Sequence, residues 1–200
     1  MVHGRKDKMN IEEINEYLKH NLLKERYEHS LGVMERAEEY AKVHGCDVEI
    51  AKIVGLAHDI AKELTIEESL EYAEKNNIGL DEIEKAQPYL LHGKIGAHMC
   101  KEKFRFTKQM QEAIIDHTTG SENMDLLAKI ILVADKTEKN RRYEDLEYAV
   151  SIAKKDINEG VVYCLDKALE KIISRNYLIH PNTIYTRNKL LLEKNNGIIK

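Results

Sequence analysis

Tryptophan is absent from the 200-residue chain and proline occurs only twice. Proline this sparse, together with 33% charged residues, excludes collagen-like and Pro-rich disordered classes. Cysteine is nearly as scarce. Cys46, Cys100 and Cys164 are odd in number, far apart and never part of a CxxC pair, which argues against a disulfide framework or a thiolate zinc site. They suit the role of small buried apolar groups better. No stretch approaches the ~20 apolar residues needed to span a bilayer, so no membrane partner is expected. Met1 to Asn10 lacks the apolar centre of a secretory signal, which makes a cytoplasmic location the default expectation. Neither sign of charge dominates: 31 Lys+Arg against 35 Asp+Glu leaves a net charge of -4. That balance exerts no long-range pull on nucleic acid, so no nucleic-acid partner is expected and any phosphate contact must come from a local basic cluster. Repeats, low-complexity tracts and linkers rich in Pro, Gly or Ser are also missing, and the length suits one domain. Residues 1–9 read as a flexible polar lead and residues 10–195 as the domain.

What is present is helical periodicity. Ile11, Ile14, Tyr17, Leu18 and Leu22 form one apolar stripe, and Leu31, Val33, Met34, Ala37, Tyr40 and Ala41 form a second that stops at Gly45. Asp47 predicts the N-cap of a third helix, Thr65 with Glu68 a capping box for a fourth, and Pro88 the first turn of a fifth carrying His92 and Ile95. Thr107 and Asp125 open two more. Amphipathic stretches follow from about Asp145 to Asp156 and from about Gly160 to Tyr177. Alternating strand patterns are absent, so the prediction is an all-α helical bundle of roughly eight to ten helices.

The nine histidines are the unusual component. His29 lies at the start of the second helix, the adjacent His58 and Asp59 near the end of the third, His92 and His117 on the fifth and sixth, and Asp135 at the close of the seventh. Their helices are apolar around these positions, so the polar side chains point inward or sit on the rim of the core. Burying such groups without a partner costs roughly 1–3 kcal/mol each, more when ionised. Neutral imidazoles with anionic carboxylates form a natural ligand set for a divalent cation, which offsets that cost. A His-Asp pair from one helix with single ligands from His29 and Asp135 makes a mixed nitrogen and oxygen shell with room for water, as a hydrolytic metal centre needs. Such a shell suits iron, manganese, cobalt or magnesium better than the closed thiolate sites that zinc prefers structurally.

The ordered motifs Arg26-Tyr-Glu-His29-Ser, His58-Asp59-Ile-Ala-Lys62, Leu91-His92-Gly93, Asp116-His117-Thr118-Thr119-Gly120, Ala134-Asp135-Lys136 and Asn140-Arg141-Arg142 carry a family resemblance. The chain resembles the HD superfamily of metal-dependent phosphohydrolases and, within it, the YqeK-like symmetrical bis(5'-nucleosyl)-tetraphosphatases. The likeness spans roughly Arg26 to Arg142 and continues more weakly through His180-Pro181-Asn182-Thr183 and Thr186-Arg187-Asn188. The resemblance implies that His29, His58, Asp59 and Asp135 ligate a divalent metal, commonly iron in this group, as one ion or two. It places His92 and His117 beside that metal, on a second ion or on the nucleotide phosphates. Lys62, Arg26 and Arg141 would grip phosphate, and Thr118 and His180 would contact the nucleotide further out. Asp59, Lys62, His92 and His117 are the implied catalytic groups. Asp59 and Asp135 stand among the substrate-binding residues as well. The implied activity is hydrolysis of diadenosine tetraphosphate and related dinucleoside polyphosphates to two nucleoside diphosphates. An HD-type nucleotide phosphatase or phosphodiesterase is the alternative. A non-catalytic nucleotide sensor is disfavoured, because every expected ligand type is kept. The sequence leaves the oligomeric state open; an exposed apolar stripe on the first or last helix could make a symmetric homodimer.

Blander roles cover the remainder. His98 reads as structural or solvent-facing, and His3, His20 and His44 receive no function. Lys62 also fits a helix-end cation favoured by the macrodipole. The Tyr-rich helices between Tyr143 and Tyr177 read as core packing.

Overall fold

Short polar motifs set most of the helix ends. The computed structural model describes residues 11–198; the expected lead over residues 1–9, with His3, lies outside them. In chain order the α-helices are α1 (Ile11–Asn21), α2 (Lys24–His44), α3 (Val48–Ala57), α4 (Ile66–Lys75), α5 (Glu82–Ala86), α6 (His92–Phe104), α7 (Lys108–Asp116), α8 (Leu126–Thr137), α9 (Leu146–Lys155), α10 (Ile157–Ser174) and α11 (Pro181–Ile198). A 3-10 turn, Pro88–Leu91, leads into α6. Gly45 ends α2 in the left-handed conformation (φ 74°) and its N–H donates to the Ala41 carbonyl. The carboxylate of Asp47 accepts from Ile50 N, Thr65 and Glu68 form a reciprocal capping box, and Thr107 and Asp125 accept from Met110 N and Ala128 N.

The bundle is built round α8. Leu127, Ala128 and every residue from Ile130 to Asp135 are buried, and a helix apolar on all sides has to be enclosed by others. α2, α3, α7 and α10 pack against it. Fully buried Ile130, Ile131 and Leu132 each contribute roughly 1.5–3 kcal/mol of transfer free energy. α2 and α3 also pack closely on each other. A Cβ at Gly55 would stand 3.1 Å from Ala37 Cβ and 3.2 Å from the Val33 carbonyl, so the bare glycine lets α3 settle onto α2. That approach carries the end of α3 up to the sixth residue of α2.

The all-α prediction holds, with no strand among the described residues, but eleven α-helices exceed the expected eight to ten. α5 spans a single turn, set by a capping box between Asp81 and Glu84 that was not read from the sequence. α11 lacks an apolar stripe: its buried face includes Thr183, Thr186 and Leu190, and the threonine hydroxyls donate to the carbonyls of Thr119 and Asn182. Polar residues satisfied in this way are invisible to a periodicity search. Pro88 opens the 3-10 turn rather than a continuous fifth helix, so His92 becomes the first residue of α6. α10 begins three residues before Gly160, where Asp156 accepts from Asn158 N and Glu159 N.

Candidate metal centre

Six buried side chains meet where α2, α3, α6, α7 and α8 converge: His29, His58, Asp59, His92, His117 and Asp135. His29 comes from α2 and Asp135 from the last turn of α8. His58 and Asp59 follow the end of α3, and His117 follows the end of α7. Three of the rings are locked in the same way. The Nδ1–H of His58 donates to Gly55 O at 2.8 Å, that of His92 to Tyr89 O at 2.7 Å, and that of His117 to Ile114 O at 2.6 Å. Each uses the carbonyl three residues earlier, so the peptide geometry at a helix end fixes both ring orientation and tautomer. His29 is held from outside its own helix, with Nδ1 3.3 Å from Glu138 Oε1. With each Nδ1 engaged in this way, the ring in its metal-ligating tautomer turns an Nε2 lone pair to the interior.

Those lone pairs face one another. His29 Nε2 and His58 Nε2 are 3.3 Å apart, with Asp135 Oδ1 3.1 Å from the first and Asp59 Oδ2 3.5 Å from the second. His92 Nε2 and His117 Nε2 are 3.1 Å apart, with Asp59 Oδ1 3.4 and 3.6 Å away. Ligands about 2.1 Å from a common ion, at angles between octahedral and tetrahedral, stand about 3.0–3.4 Å from each other. Two acceptor nitrogens cannot satisfy each other, so each pair calls for a cation or a donor between them. Among the described residues Asp59 Oδ1 is buried with no hydrogen-bond partner, a costly state that a cation would relieve. The donor set thus fits a divalent metal, with Asp59 shared between two groups of ligand atoms.

The two groups differ in charge. Around His29 and His58 stand two carboxylates. Near His92 and His117 the Thr118 hydroxyl lies 3.3 and 3.2 Å from the two Nε2 atoms, and the Lys62 ammonium lies 3.1 Å from His92 Nε2. Burial keeps His58 neutral, lowering its pKa to about 4, and burial with the Lys62 charge lowers His92 to about 3. Burial opposes ionisation of Asp59, yet His58, His117, His92 and Lys62 outweigh it and hold the carboxyl well below its usual range. Asp135 is likewise held low against burial, by Lys136, His29, His58 and Arg141. Burial lowers the pKa of Lys62 itself.

Basic side chains clasp the carboxylates from outside. Arg26 Nη1 donates to Asp59 Oδ2 at 2.7 Å, Arg141 Nη2 to Asp135 Oδ1 at 2.8 Å, and Lys136 Nζ to Asp135 Oδ2 at 2.6 Å. The cluster floors a cleft of about 790 Å³ whose walls include Arg26, Lys62, Arg141, Lys171, Tyr143 and Tyr163. His180 stands apart from this cleft: its Nε2–H donates to Asp81 Oδ2 at 2.8 Å, and the ring lines a neighbouring cavity. His98 Nδ1 and the Tyr72 hydroxyl share a hydrogen bond at 3.0 Å, a tie between α4 and α6. The core-packing expectation fails for Tyr143, Tyr148 and Tyr177, which are exposed. Glu138 was missed from the sequence, and Lys136 was read only as part of the Ala134-Asp135-Lys136 motif, without a role of its own. Glu138 is 2% exposed, and its spacing of three from Asp135 is the signal that could have found it.

Comparison with known proteins comes to the same region. A family model described as HD domain matches residues 26–140. The symmetrical bis(5'-nucleosyl)-tetraphosphatase of Halalkalibacterium halodurans is 34% identical over 88% of this chain and 95% of its own length. The protein of the same name from Bacillus subtilis is 30% identical over 92% of this chain and 98% of its own. A crystal structure from Clostridium acetobutylicum, described as a predicted HD superfamily hydrolase involved in NAD metabolism, superposes with a TM-score of 0.88 at 35% identity, covering 92% of this chain and 98% of that one.

Proposed function

The chain belongs to the HD-domain family, and from that premise we propose that it hydrolyses diadenosine tetraphosphate and related dinucleoside polyphosphates symmetrically, releasing two nucleoside diphosphates. The observation that carries the reading is the pair of facing Nε2 groups sharing Asp59 at the floor of a cleft walled by cations. Relatives sharing about a third of their residues over nearly their full length bear the name of that activity. In this reading residues 10–195 act as one domain working in the cytoplasm, alone or as a homodimer.

His29, His58, Asp59 and Asp135 hold the tighter metal, because two carboxylates surround those nitrogens, whereas the Lys62 ammonium stands against His92 Nε2 in the other group. Iron is the favoured ion, ahead of manganese, cobalt or magnesium, since a mixed imidazole and carboxylate shell suits it. The group of His92, His117 and Asp59 Oδ1, beside Lys62, takes a second and weaker ion or the phosphate itself. When bound, such a cation supplies an ionised water near neutral pH and draws electron density from a phosphoryl oxygen.

The chain's own groups then bind and orient a strongly anionic tetraphosphate. Lys62, Arg26 and Arg141 line the cleft and offset charge that builds on the bridging and terminal oxygens. Water adds to an inner phosphorus, the central P–O–P bond breaks, and one nucleoside diphosphate leaves with the bridging oxygen. Lys62, with its pKa lowered by burial, is suited to pass a proton to that oxygen. His117 is the second candidate donor. Thr118 steadies the phosphate beside the rings, and His180 shapes the wall further out.

Incubating the purified protein with iron(II) or manganese(II) and diadenosine tetraphosphate should yield ADP alone. ATP with AMP would mean asymmetric cleavage, and intact substrate would remove the proposal. A nucleoside, or a linear product from a cyclic nucleotide, would favour the phosphatase or phosphodiesterase alternative.

A further inference from the structure

The last turn of a helix leaves its carbonyls without successors to bond them. Asp135 sits in the last turn of α8, and side chains from elsewhere take the carbonyls around it. Arg141 Nε donates to Asp135 O at 3.0 Å, the Tyr143 hydroxyl to Lys136 O at 3.1 Å, and Arg36 Nε to Thr137 O at 2.9 Å. Arg141 and Tyr143 belong to the cleft. Arg36 comes instead from α2, the helix that carries His29.

α2 holds that turn a second time. Thr137 Oγ1 donates to Val133 O at 2.7 Å, so its lone pairs are left to accept from the Tyr40 hydroxyl at 2.8 Å. Tyr40, Thr137 and Val133 are fully buried, where water does not replace a lost bond. The Arg36 guanidinium is itself steadied, paired with Glu39 and 5.8 Å from the centre of the Tyr40 ring. At about 100° per residue, positions 29, 36 and 40 fall within about 40° of one another around α2. One face of that helix thus presents both His29 and the groups that clasp the turn bearing Asp135. Across the seam His29 Nε2 stands 3.1 Å from Asp135 Oδ1.

Resting on the reading of His29 and Asp135 as ligands of one ion, we propose that Arg36, Tyr40 and Thr137 are positioning residues for the metal. They fix the last turn of α8 against α2 and so set the separation of two ligands drawn from different helices before the ion arrives. Preorganisation of this kind raises affinity, because the ion does not have to order the turn itself.

The test measures manganese(II) affinity by chelator competition in the parent, Tyr40→Phe, Arg36→Met, Thr137→Val and Thr137→Ser. Phenylalanine keeps the buried ring and valine the shape of threonine, and melts of the metal-free proteins check that each variant folds. Tyr40→Phe, Arg36→Met and Thr137→Val should each weaken binding by about three- to tenfold, the scale of one buried hydrogen bond. Thr137→Ser keeps the hydroxyl and should stay within about twofold of the parent. Adding Thr137→Val to Tyr40→Phe should cost less than the sum of the two, since they share one bond. Ile14→Val, a buried truncation in α1, is the control: it lowers the melting temperature and should leave affinity unchanged. Parental affinity in all the clasp variants, or an equal loss in Ile14→Val, overturns this assignment and leaves the metal reading standing. A parent that binds no manganese(II) overturns both.

Discussion

Adding one methyl group at Gly32, on the helix that carries His29, should weaken metal binding without touching a ligand. A Cβ built at Gly32 collides with Glu138 Oε2 and lies 3.2 Å from Glu138 Cδ and 3.3 Å from Asn140 Nδ2. The Glu138 carboxylate has little freedom to retreat. It is buried, Oε2 accepts from Asn140 N at 2.6 Å, and Oε1 faces His29 Nδ1 at 3.3 Å. Ordinary van der Waals contact would move the carboxylate by roughly an ångström, enough to break its contact with His29. Losing the outer partner of a ligating histidine typically costs 10–100-fold in metal affinity, or about 1.4–2.7 kcal/mol. Overpacking should cost a further ~1–3 kcal/mol of fold stability. Chelator competition on Gly32→Ala measures the first effect, and denaturant unfolding of chelator-treated protein the second. The decisive control is the double mutant. With Glu138→Ala in place there is no carboxylate to displace, so adding Gly32→Ala should change affinity no further. Parental affinity in Gly32→Ala, or an undiminished penalty in the Glu138→Ala background, would refute the argument.

Asp59→Asn removes the carboxylate shared by both ligand groups, so the bound metal per chain should drop at least about tenfold by elemental analysis; retention of the full complement would show that Asp59 is not a ligand. Acid should destabilise the chelator-treated protein through its histidines. Folded His58 and His92 stay neutral to about 4 and about 3, while the unfolded rings protonate near 6.5, so the unfolded state binds more protons and stability falls with pH. The two groups together give a slope of roughly 2.7 kcal/mol per pH unit between those values, to which Asp59 and Asp135 add below the usual carboxylate range; unfolding free energies that stay flat from pH 6.5 to 4 would contradict it. Gly120→Ala places a Cβ 2.7 Å from Thr186 Oγ1 at a backbone φ of 74°, and should cost about 1–3 kcal/mol in denaturant melts without altering the metal ligands.

Helix ends were legible in the sequence because a cap works over three or four residues. Asp47, Thr65, Thr107 and Asp125 each bond a backbone N–H within their own first turn, and Gly45 closes its helix on Ala41. The order of His29, His58, Asp59 and Asp135 was legible too, since polar groups on apolar helices advertise a compensating partner. Other features exist only through contacts between distant parts of the chain. Glu138 reaches His29 across 109 positions, and Arg26 reaches Asp59 across 33. Neither contact leaves a local periodicity to read. α11 buries threonines that find carbonyl acceptors only once the bundle has formed, and the cavity beside the cleft appears only when residues near 89, 118 and 175 come together. Local sequence therefore determined most of the helical segments, though not α5 or α11, and which imidazoles and carboxylates they carry. Tertiary packing alone decided which oxygen of Asp59 is left without a partner, which imidazoles face each other, and what stands around them, because those depend on distances that no stretch of chain encodes by itself.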